Sequence, residues 1–234
     1  MLRVRSSSNG HICAPWCARL AVLIACVAMG SLWLAMKVAQ GRRQAEAVAR
    51  LERAGAVVQY DFQWDVRTHR FDLSATPPGP KWLHPALAMY FFAKPIRVIA
   101  VGSHFSDDDL RSVAVLDHLE DLQVPGTSIS DRGVAFLAML RYLKNLNLDR
   151  TSVSDLGMAT VARIRSLETL SIVRTRVSDE GMSRLAGLPR LSCVDLYGSR
   201  VTERGITELK RVNPSVRADL HDAVYEWLEK ADAN

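Results

Sequence analysis

Apolar and polar positions in the second half of the chain repeat every 24 residues, without insertion or deletion. Four segments begin at Leu119, Leu143, Leu167 and Leu191. In each segment the first, fourth and sixth positions are apolar, which gives an LxxLxL pattern. Apolar residues that alternate with polar ones predict a strand whose two faces differ. Their recurrence at a constant period predicts a solenoid, in which each unit buries its apolar face against its neighbours.

The rest of each repeat predicts a turn and a short helix. Position 9 carries Thr or Ser, and position 11 carries Ile or Val. Ser or Thr at position 12 can cap a helix, and the helix dipole favours the acidic residue that follows at position 13. Apolar residues at positions 16, 19 and 22 form one buried stripe. Glycine at position 15 costs a helix about 1 kcal/mol against alanine, so we interpret that column as close packing between repeats.

A fifth unit begins at Pro95 in the same register. It has apolar and hydroxyl residues at the expected positions, but Asp109 replaces the glycine and Pro95 replaces the first leucine. Terminal repeats depart from the consensus in this way because they pack on a cap rather than on another repeat. We therefore predict five repeats over residues 95–214, followed by a capping strand and helix over residues 215–234.

Residues 20–36 form a run of 17 uncharged residues between Arg19 and Lys37. As a helix this run is about 25 Å long, close to the thickness of the hydrocarbon core of a bilayer. It predicts one transmembrane helix that serves as a signal anchor, with a basic leader over residues 1–19 and a basic linker over residues 37–43. Two alternatives are cleavage by signal peptidase after Gly41 and lipidation of Cys26.

Positive charge is concentrated around this apolar run. The first 43 residues hold six basic residues and no acidic one, so the remainder has 24 basic and 25 acidic residues. The excess charge therefore belongs to the membrane flanks, which removes the main support for nucleic-acid binding. The two flanks nearly balance, and we predict the usual orientation of a signal anchor, with the amino terminus in the cytoplasm and the repeats outside it.

Residues 44–94 are predicted to form an α+β cap. A short helix ends before Gly55, and alternation over residues 57–64, followed by residues 70–73 after a polar turn, predicts a hairpin. A proline cluster over residues 77–80 breaks the chain before an apolar helix around Trp82 to Phe92. Such a cap would shield the open edge of the first repeat's strand.

With these repeats the chain resembles the leucine-rich repeat family over residues 95–220. The Ser-Asp-x-Gly helix starts, such as Ser130 to Gly133, are similar to the strand-plus-helix repeats of F-box proteins, and the apolar anchor is similar to that of short bacterial single-pass members. The resemblance implies an α/β fold, a right-handed leucine-rich repeat solenoid with a concave parallel sheet and convex helices. We expect an α+β amino-terminal cap and one transmembrane helix to precede the repeats. The resemblance also implies that the protein binds other macromolecules.

The strand pattern predicts which side chains a partner would contact. Positions 3, 5 and 7 point away from the buried positions 4 and 6, and position 8 lies just beyond them. The resulting concave face is polar and mixed in charge, although an ordinary solvated sheet would show the same pattern. The predicted binding residues are Asp121, Gln123, Asn145, Asn147, Asp149, Arg150, Thr169, Ser171, Arg174, Asp195 and Tyr197.

The sequence contains none of the common catalytic motifs GxSxG, GxxxxGK, HExxH or paired CxxC. Asp107, Asp108 and Asp109 are a candidate metal cluster, but the helix dipole explains acids at a helix start. We predict no metal, no cofactor and no enzyme, but a membrane-tethered module that binds a protein or peptide on its concave face. Two alternatives are a self-associating structural protein of the envelope and an enzyme with a site in the cap, around His69 and Asp65.

Overall fold

The computed structural model describes residues 14–65, 68, 70–72, 74–79, 92–102 and 104–220. The chain forms two compact units that divide after Arg42. The predicted carboxyl-terminal helix and the predicted helix around Trp82 to Phe92 lie outside the described residues, apart from Phe92 itself. Most of the predicted basic leader lies outside them as well.

The first helix, α1, runs without interruption over Ala14–Arg53. No proline interrupts residues 16–53, so the predicted anchor, the linker and the start of the cap share one helix. The part over Ala21–Arg53 contains a window of 18 residues with a mean hydropathy of 2.0, which is long and apolar enough to cross a membrane, a test that a signal sequence also passes. In the second unit, the end of α1 buries Ala47, Val48 and Leu51.

The second unit is organised around one main sheet. Its strands, in chain order, begin with Val57–Tyr60 (β1), and a separate antiparallel pair follows, Trp64–Asp65 (β2) and Arg70–Phe71 (β3). The main sheet continues with Pro95–Ile99 (β4), Asp121–Gln123 (β5), Asn145–Asn147 (β6), Thr169–Ser171 (β7), Cys193–Asp195 (β8) and Arg217–Asp219 (β9). Strand β1 is antiparallel to β4, and every later neighbour in the order β4 to β9 is parallel.

The parallel strands pair residues that lie 24 positions apart in sequence. Leu122 faces Leu146, and Leu146 faces Leu170, with no shift in register. The period of the sequence is therefore the period of the sheet. Inward residues of these strands are almost fully buried, with 0% of Leu122, 1% of Leu146 and 0% of Leu170 exposed. The α/β class and the parallel sheet predicted from the sequence are confirmed.

Strand β1 takes a different partner from the predicted one. The sequence predicts that residues 57–64 pair with residues 70–73, but β1 pairs with β4 at the edge of the main sheet. Within the described part of the predicted hairpin, Trp64–Asp65 pairs with Arg70–Phe71. Pairing with β4 satisfies the backbone groups of an edge strand and places Val58 in the core. Alternation in sequence shows that a segment is extended, but it does not identify the neighbouring strand.

Each repeat carries a helical segment after its strand. The segments are Asp107–Val113 (α2), Asp131–Val134 (α3), Asp155–Val161 (α4), Asp179–Leu185 (α5) and Glu203–Val212 (α6). All begin at position 13, directly after the Ser or Thr predicted to cap them. The hydroxyls of Ser130, Ser154 and Ser178 accept backbone hydrogen bonds at 3.3, 3.4 and 3.3 Å from the residue two positions on.

The aspartate at the start of each of the first four helices also binds the next repeat. Asp155 Oδ1 accepts hydrogen bonds from the backbone N–H groups of Ser178 at 2.7 Å and Gly181 at 3.1 Å, and its Oδ2 accepts from the Ser178 hydroxyl at 2.7 Å. The corresponding backbone bond from Thr202 is the main reason why the pKa of the Asp179 carboxyl is lowered. We call these residues the aspartate ladder: Asp107, Asp131, Asp155 and Asp179, whose partners at position 12 are Ser130, Ser154, Ser178 and Thr202.

Glycine at position 15 leaves room for this ladder. A Cβ atom on Gly157 would lie 2.6 Å from Asp131 Oδ1 and 2.8 Å from Val153 Cγ1. At Gly133, Gly181 and Gly205, a Cβ would likewise meet the carboxylate of the preceding repeat. The close packing expected from the glycine column is therefore packing against an aspartate.

The first repeat lacks a preceding ladder residue, and Asp109 takes its place. In the sequence, Leu83 rather than an acidic residue stands 24 residues before Asp107. Instead, the backbone N–H and the hydroxyl of Ser106 both donate to Asp109 Oδ2, each at 2.9 Å. Asp109 occupies the position that is glycine in the later repeats, so the terminal repeat supplies its own acceptor.

Candidate binding face

The outward side of the main sheet, which we call the sheet face, carries the eleven binding residues predicted above. Their accessibility falls into three groups. Arg150, Arg174 and Asp195 are exposed, and Gln123, Asn145, Asn147, Thr169 and Tyr197 are half-buried. Asp121, Asp149 and Ser171 are buried. Alternation along a strand therefore gives the direction of a side chain but not how far its neighbours cover it.

Asp149 is buried because it holds two neighbouring strands together. Its Oδ1 accepts the Ser171 hydroxyl at 2.5 Å and the Val173 backbone N–H at 2.8 Å, while Oδ2 accepts from Asn147 Nδ2 at 3.0 Å. The Asp149 backbone N–H donates in turn to Asn147 Oδ1 at 2.9 Å. Both carboxylate oxygens are thus used inside the protein, and Asn147, Asp149 and Ser171 form one structural network.

Asp121 forms an ion pair with a residue of the first repeat. Both Nε and Nη2 of Arg97 approach Asp121 Oδ2, at 2.7 and 2.5 Å, and Gln123 Nε2 donates to Oδ1 at 2.7 Å. The Arg97 guanidinium also lies 5.2 Å from the ring centroid of Phe71, within the range of a cation–π contact. The carboxylate of Asp121 is therefore already neutralised from within.

Asn145 and Thr169 lie on the strands of the sheet face, and their side chains are not engaged in hydrogen bonds within the described part of the protein. They face each other across β6 and β7. Among the residues that the structure describes, their side chains have no hydrogen-bond partner, and both are half-buried. Neighbouring strands lie about 4.8 Å apart, so these two side chains form a small polar patch at the middle of the face. This patch is available to a ligand without disturbing the sheet.

Arg150 and Arg174 occupy a backbone conformation that is unfavourable for residues other than glycine. Their φ angles are 55° and 54°, and the corresponding position 8 of the other repeats is Gly102, Gly126 or Gly198, all with positive φ. A left-handed backbone costs a residue with a Cβ atom about 1 kcal/mol relative to glycine. Both side chains are exposed. Two consecutive repeats therefore carry a charged residue where the turn favours glycine.

A groove that the sequence does not reveal lies at the amino-terminal end of the sheet face. It has a volume of about 310 Å³ and is lined by Trp64, Phe71, Ile96, Arg97, Glu120, Asp121 and Asn145. The rings of Trp64 and Phe71 lie 4.9 Å apart at an angle of 59°. Arg97 could have been anticipated, because it stands at position 3 of the first repeat. The aromatic wall could not, because it depends on the fold of the β2–β3 pair.

The described residues contain no group of three or more His, Cys, Asp or Glu side chains placed to hold a metal ion. In the candidate metal cluster, Asp107 accepts from Ser130 and Asp109 accepts from Ser106, so two of its three carboxylates serve the repeat structure. Cys193 is a half-buried free thiol on β8. His69, part of the alternative site in the cap, lies outside the described residues.

No protein-family model and no characterised protein matches the chain in sequence. Three solved structures share part of its fold at low identity. An internalin (InlF) from Listeria monocytogenes is 19% identical over 48% of this chain and 38% of its own, with a TM-score of 0.34. The LRR ectodomain of the receptor kinase SOBIR1 from Arabidopsis thaliana is 12% identical over 68% of this chain and 94% of its own, with a TM-score of 0.35.

The third structure is the LRR ectodomain of the Arabidopsis thaliana receptor kinase GASSHO1/SCHENGEN3, in complex with Casparian strip integrity factor 2. It is 17% identical over 52% of this chain and 14% of its own, with a TM-score of 0.32. The chain thus spans less than half the length of the internalin and about a seventh of this ectodomain. Such partial likenesses add little to the protein's own geometry. Its 24-residue repeats, in-register parallel strands and LxxLxL core are those of the leucine-rich repeat fold.

Proposed function

We propose that this chain is a membrane-tethered, non-enzymatic module that binds a protein or peptide on the sheet face. The proposal rests on one observation, which is that some polar side chains of that face are bonded within the sheet and others are not. Asp121, Asp149 and Ser171 bind other residues of the sheet, whereas Asn145 and Thr169 lie between them with no internal partner among the described residues. A face of this kind is rigid and still presents polar groups, which suits recognition of a partner with little loss of conformational entropy.

Among the described residues, which do not include His69, the predicted enzyme alternative in the cap has no site as well defined as the sheet face. The groove lined by Trp64 and Phe71 is open, and its charged residues are held in ion pairs: Arg97 with Asp121, and Glu120 at 2.7 Å with Lys144, which does not line the groove. Paired charges in an open groove are poorly suited to proton transfer, because each carboxylate is held by its cation. The groove fits better as one end of the binding face.

If the partner binds on the sheet face, the double substitution Asn145→Arg with Thr169→Glu should abolish its binding. The two changes place bulky side chains of opposite charge on neighbouring strands, which reshapes the face without repulsion between strands. We expect recovery of the partner from cell extracts by the tagged full chain to fall at least about tenfold, measured by quantitative mass spectrometry. The melting temperature should change by no more than about 3 °C.

The matched control is Leu156→Arg. Leu156 lies in α4 on the helical side of the repeats and is 71% exposed, so this variant adds a similar bulk and charge away from the sheet face. It should recover the partner as the unchanged chain does. Undiminished recovery by the Asn145→Arg, Thr169→Glu variant would exclude the sheet face as the binding surface.

For the membrane part of the proposal, we infer that α1 anchors the chain with its amino terminus in the cytoplasm. Val22, Leu32 and Trp33, which are 63%, 63% and 57% exposed, offer the apolar surface that a bilayer would cover. A carboxyl-terminal alkaline phosphatase fusion should be active, since that enzyme requires an oxidising compartment, and the fusion should stay in the membrane fraction after carbonate extraction. Active green fluorescent protein with inactive phosphatase would reverse the orientation, and a soluble, shortened product would indicate cleavage after Gly41.

A further inference from the structure

The turns that follow the strands of the central repeats form a basic edge in a domain that is otherwise balanced in charge. We call this set the turn edge; it comprises residues 125–128, 149–152, 173–176 and 197–200. It contains four arginines and a single acidic residue. By contrast, residues 44–234 as a whole carry 24 basic and 25 acidic residues. The arginines are Arg150, Arg174, Arg176 and Arg200, and all four are exposed.

Asp149, the one acid on the turn edge, is used inside the sheet. Asp149 is 5% exposed, and both of its carboxylate oxygens accept hydrogen bonds from Ser171, Val173 and Asn147. Among the residues that the structure describes, Arg150, Arg176 and Arg200 have no ion-pair partner. The positive charge of these three arginines is therefore left for an external anion.

Backbone hydrogen bonds hold the arginines in adjacent turns. The N–H of Arg150 donates to the Val173 carbonyl at 2.8 Å, and the N–H of Arg174 donates to the Tyr197 carbonyl at 2.8 Å. The N–H of Arg200 donates to the Val177 carbonyl at 2.9 Å. Since neighbouring strands are about 4.8 Å apart, these turns place several guanidinium groups within the span of a few peptide residues.

Two features of the turn edge concern the backbone of its arginines: their φ angles are unfavourable, and a neighbouring glycine leaves room for one of them. Arg150 and Arg174 adopt φ angles of 55° and 54°, where the other three repeats have glycine. Gly198, in the next turn, leaves room for Arg174, because a Cβ atom there would lie 2.9 Å from Arg174 Cγ. At Arg150 the turn would be satisfied by glycine, so the reason for arginine at that position lies outside the fold.

We propose that the turn edge binds carboxylate groups of an acidic segment of the partner, so that the ligand of the sheet face is an acidic protein or peptide. This inference rests on the proposed function and specifies its ligand. The guanidinium group presents a planar set of donors that matches a carboxylate in bidentate geometry, which lysine does not offer. Tyr197, half-buried at the same edge, adds an aromatic surface beside Arg174.

The same arginines fit an acidic peptide better than an anionic bilayer. A membrane-binding edge combines basic residues with exposed apolar side chains that enter the interface. Within the turn edge, Val173 is 1% exposed and Tyr197 is half-buried, so neither is placed to insert. A short acidic segment needs only the charges and donors that the edge presents.

The test uses the full chain in nanodiscs of neutral lipid and a fluorescein-labelled octaglutamate peptide, with octalysine as the charge-reversed probe. The test variant is Arg150→Gly with Arg174→Gly, which restores the residue that the turn favours. We expect the association of octaglutamate, measured by fluorescence anisotropy, to fall at least about tenfold. The melting temperature should stay unchanged or rise by a few degrees, roughly 2–4 °C.

The matched control is Arg163→Gln with Arg165→Gln, two exposed arginines outside the turn edge. This variant loses the same charge and should bind octaglutamate within about twofold of the unchanged chain. Equal losses in both variants, or no preference of the unchanged chain for octaglutamate over octalysine, would overturn the proposal. So would stronger binding to vesicles of phosphatidylglycerol, which would assign the edge to a membrane surface.

Failure of this inference and failure of the proposed function are distinguishable. If the Arg150→Gly, Arg174→Gly variant recovers the cellular partner fully while the Asn145→Arg, Thr169→Glu variant does not, the sheet face binds a partner that needs no acidic segment. If the sheet-face variant also recovers the partner, the proposed function itself fails. Loss in both supports the two together.

Discussion

Asp155→Ala should lower the free energy of unfolding of the repeats by about 3 kcal/mol. The substitution removes the acceptor of two backbone N–H groups, those of Ser178 and Gly181, and of the Ser178 hydroxyl. These donors are partly buried between α4 and α5, so water replaces the lost carboxylate only incompletely. Because neighbouring repeats stabilise each other, the loss should weaken the array on both sides of the broken link. Urea unfolding of the full chain in neutral detergent, followed by circular dichroism, measures the effect.

The control for Asp155 separates the link between repeats from the helix dipole. Asp108 also stands in the first turn of a helix, but it is exposed and its charge can act only through the dipole. Asp108→Ala should therefore cost no more than about 0.5–1 kcal/mol. A loss for Asp155→Ala as small as that for Asp108→Ala would show that the aspartate ladder contributes only through the dipole.

Gly157→Ala should destabilise the protein by about 2 kcal/mol, although alanine is the better helix former. The new Cβ atom would lie 2.6 Å from Asp131 Oδ1 and 2.8 Å from Val153 Cγ1. Asp131 cannot retreat without losing its hydrogen bonds to Ser154, at 2.8 and 2.6 Å. The same urea titration measures the change, and a gain in stability would contradict the packing that we describe.

Two further variants make the result for Gly157 specific. Gly187→Ala is the matched control, because a Cβ atom there meets nothing within 4 Å, and this variant should be neutral or slightly stabilising, by about 0.5 kcal/mol. Combining Gly157→Ala with Asp131→Ala removes the obstructing carboxylate. The double variant should therefore lose less stability than the sum of the two single losses, which is the signature of residues in contact.

The sequence predicts the strands and helices of the repeats well because their determinants are local. Positions 4 and 6 bury the strand, and Ser or Thr at position 12 marks the helix start within one residue. The function of the position 13 aspartates is not predictable in the same way. Their carboxylates bind residues 23 to 26 positions further on, whereas the dipole offers an adequate local explanation for the same residues.

The candidate binding face shows the same limit. The alternation rule places Asp149 and Thr169 on one side of the sheet, but it does not reveal that Asp149 is enclosed by Asn147 and Ser171. That enclosure depends on which residues meet across strands. In contrast, the arginines in left-handed turns are visible in the sequence. Position 8 of the repeats is glycine at Gly102, Gly126 and Gly198, but arginine at Arg150 and Arg174. A charged residue in a turn that favours glycine, as at Arg150, is a candidate for function rather than for folding.

Because of its first repeat, the two ends of the array differ in how an additional repeat could be accommodated. Asp109 closes the hydrogen bonds of the first helix start internally, whereas each later repeat draws its acceptor from the unit before it. If residues 143–166 were duplicated directly after the original, the Ser154 of the second copy could donate to the Asp155 of the first copy. The Asp155 of the second copy could then accept from Ser178 of the following repeat. Duplication in the middle of the array would therefore keep every hydrogen bond between repeats, whereas a repeat added before the first one would meet a Ser106 that already donates to Asp109.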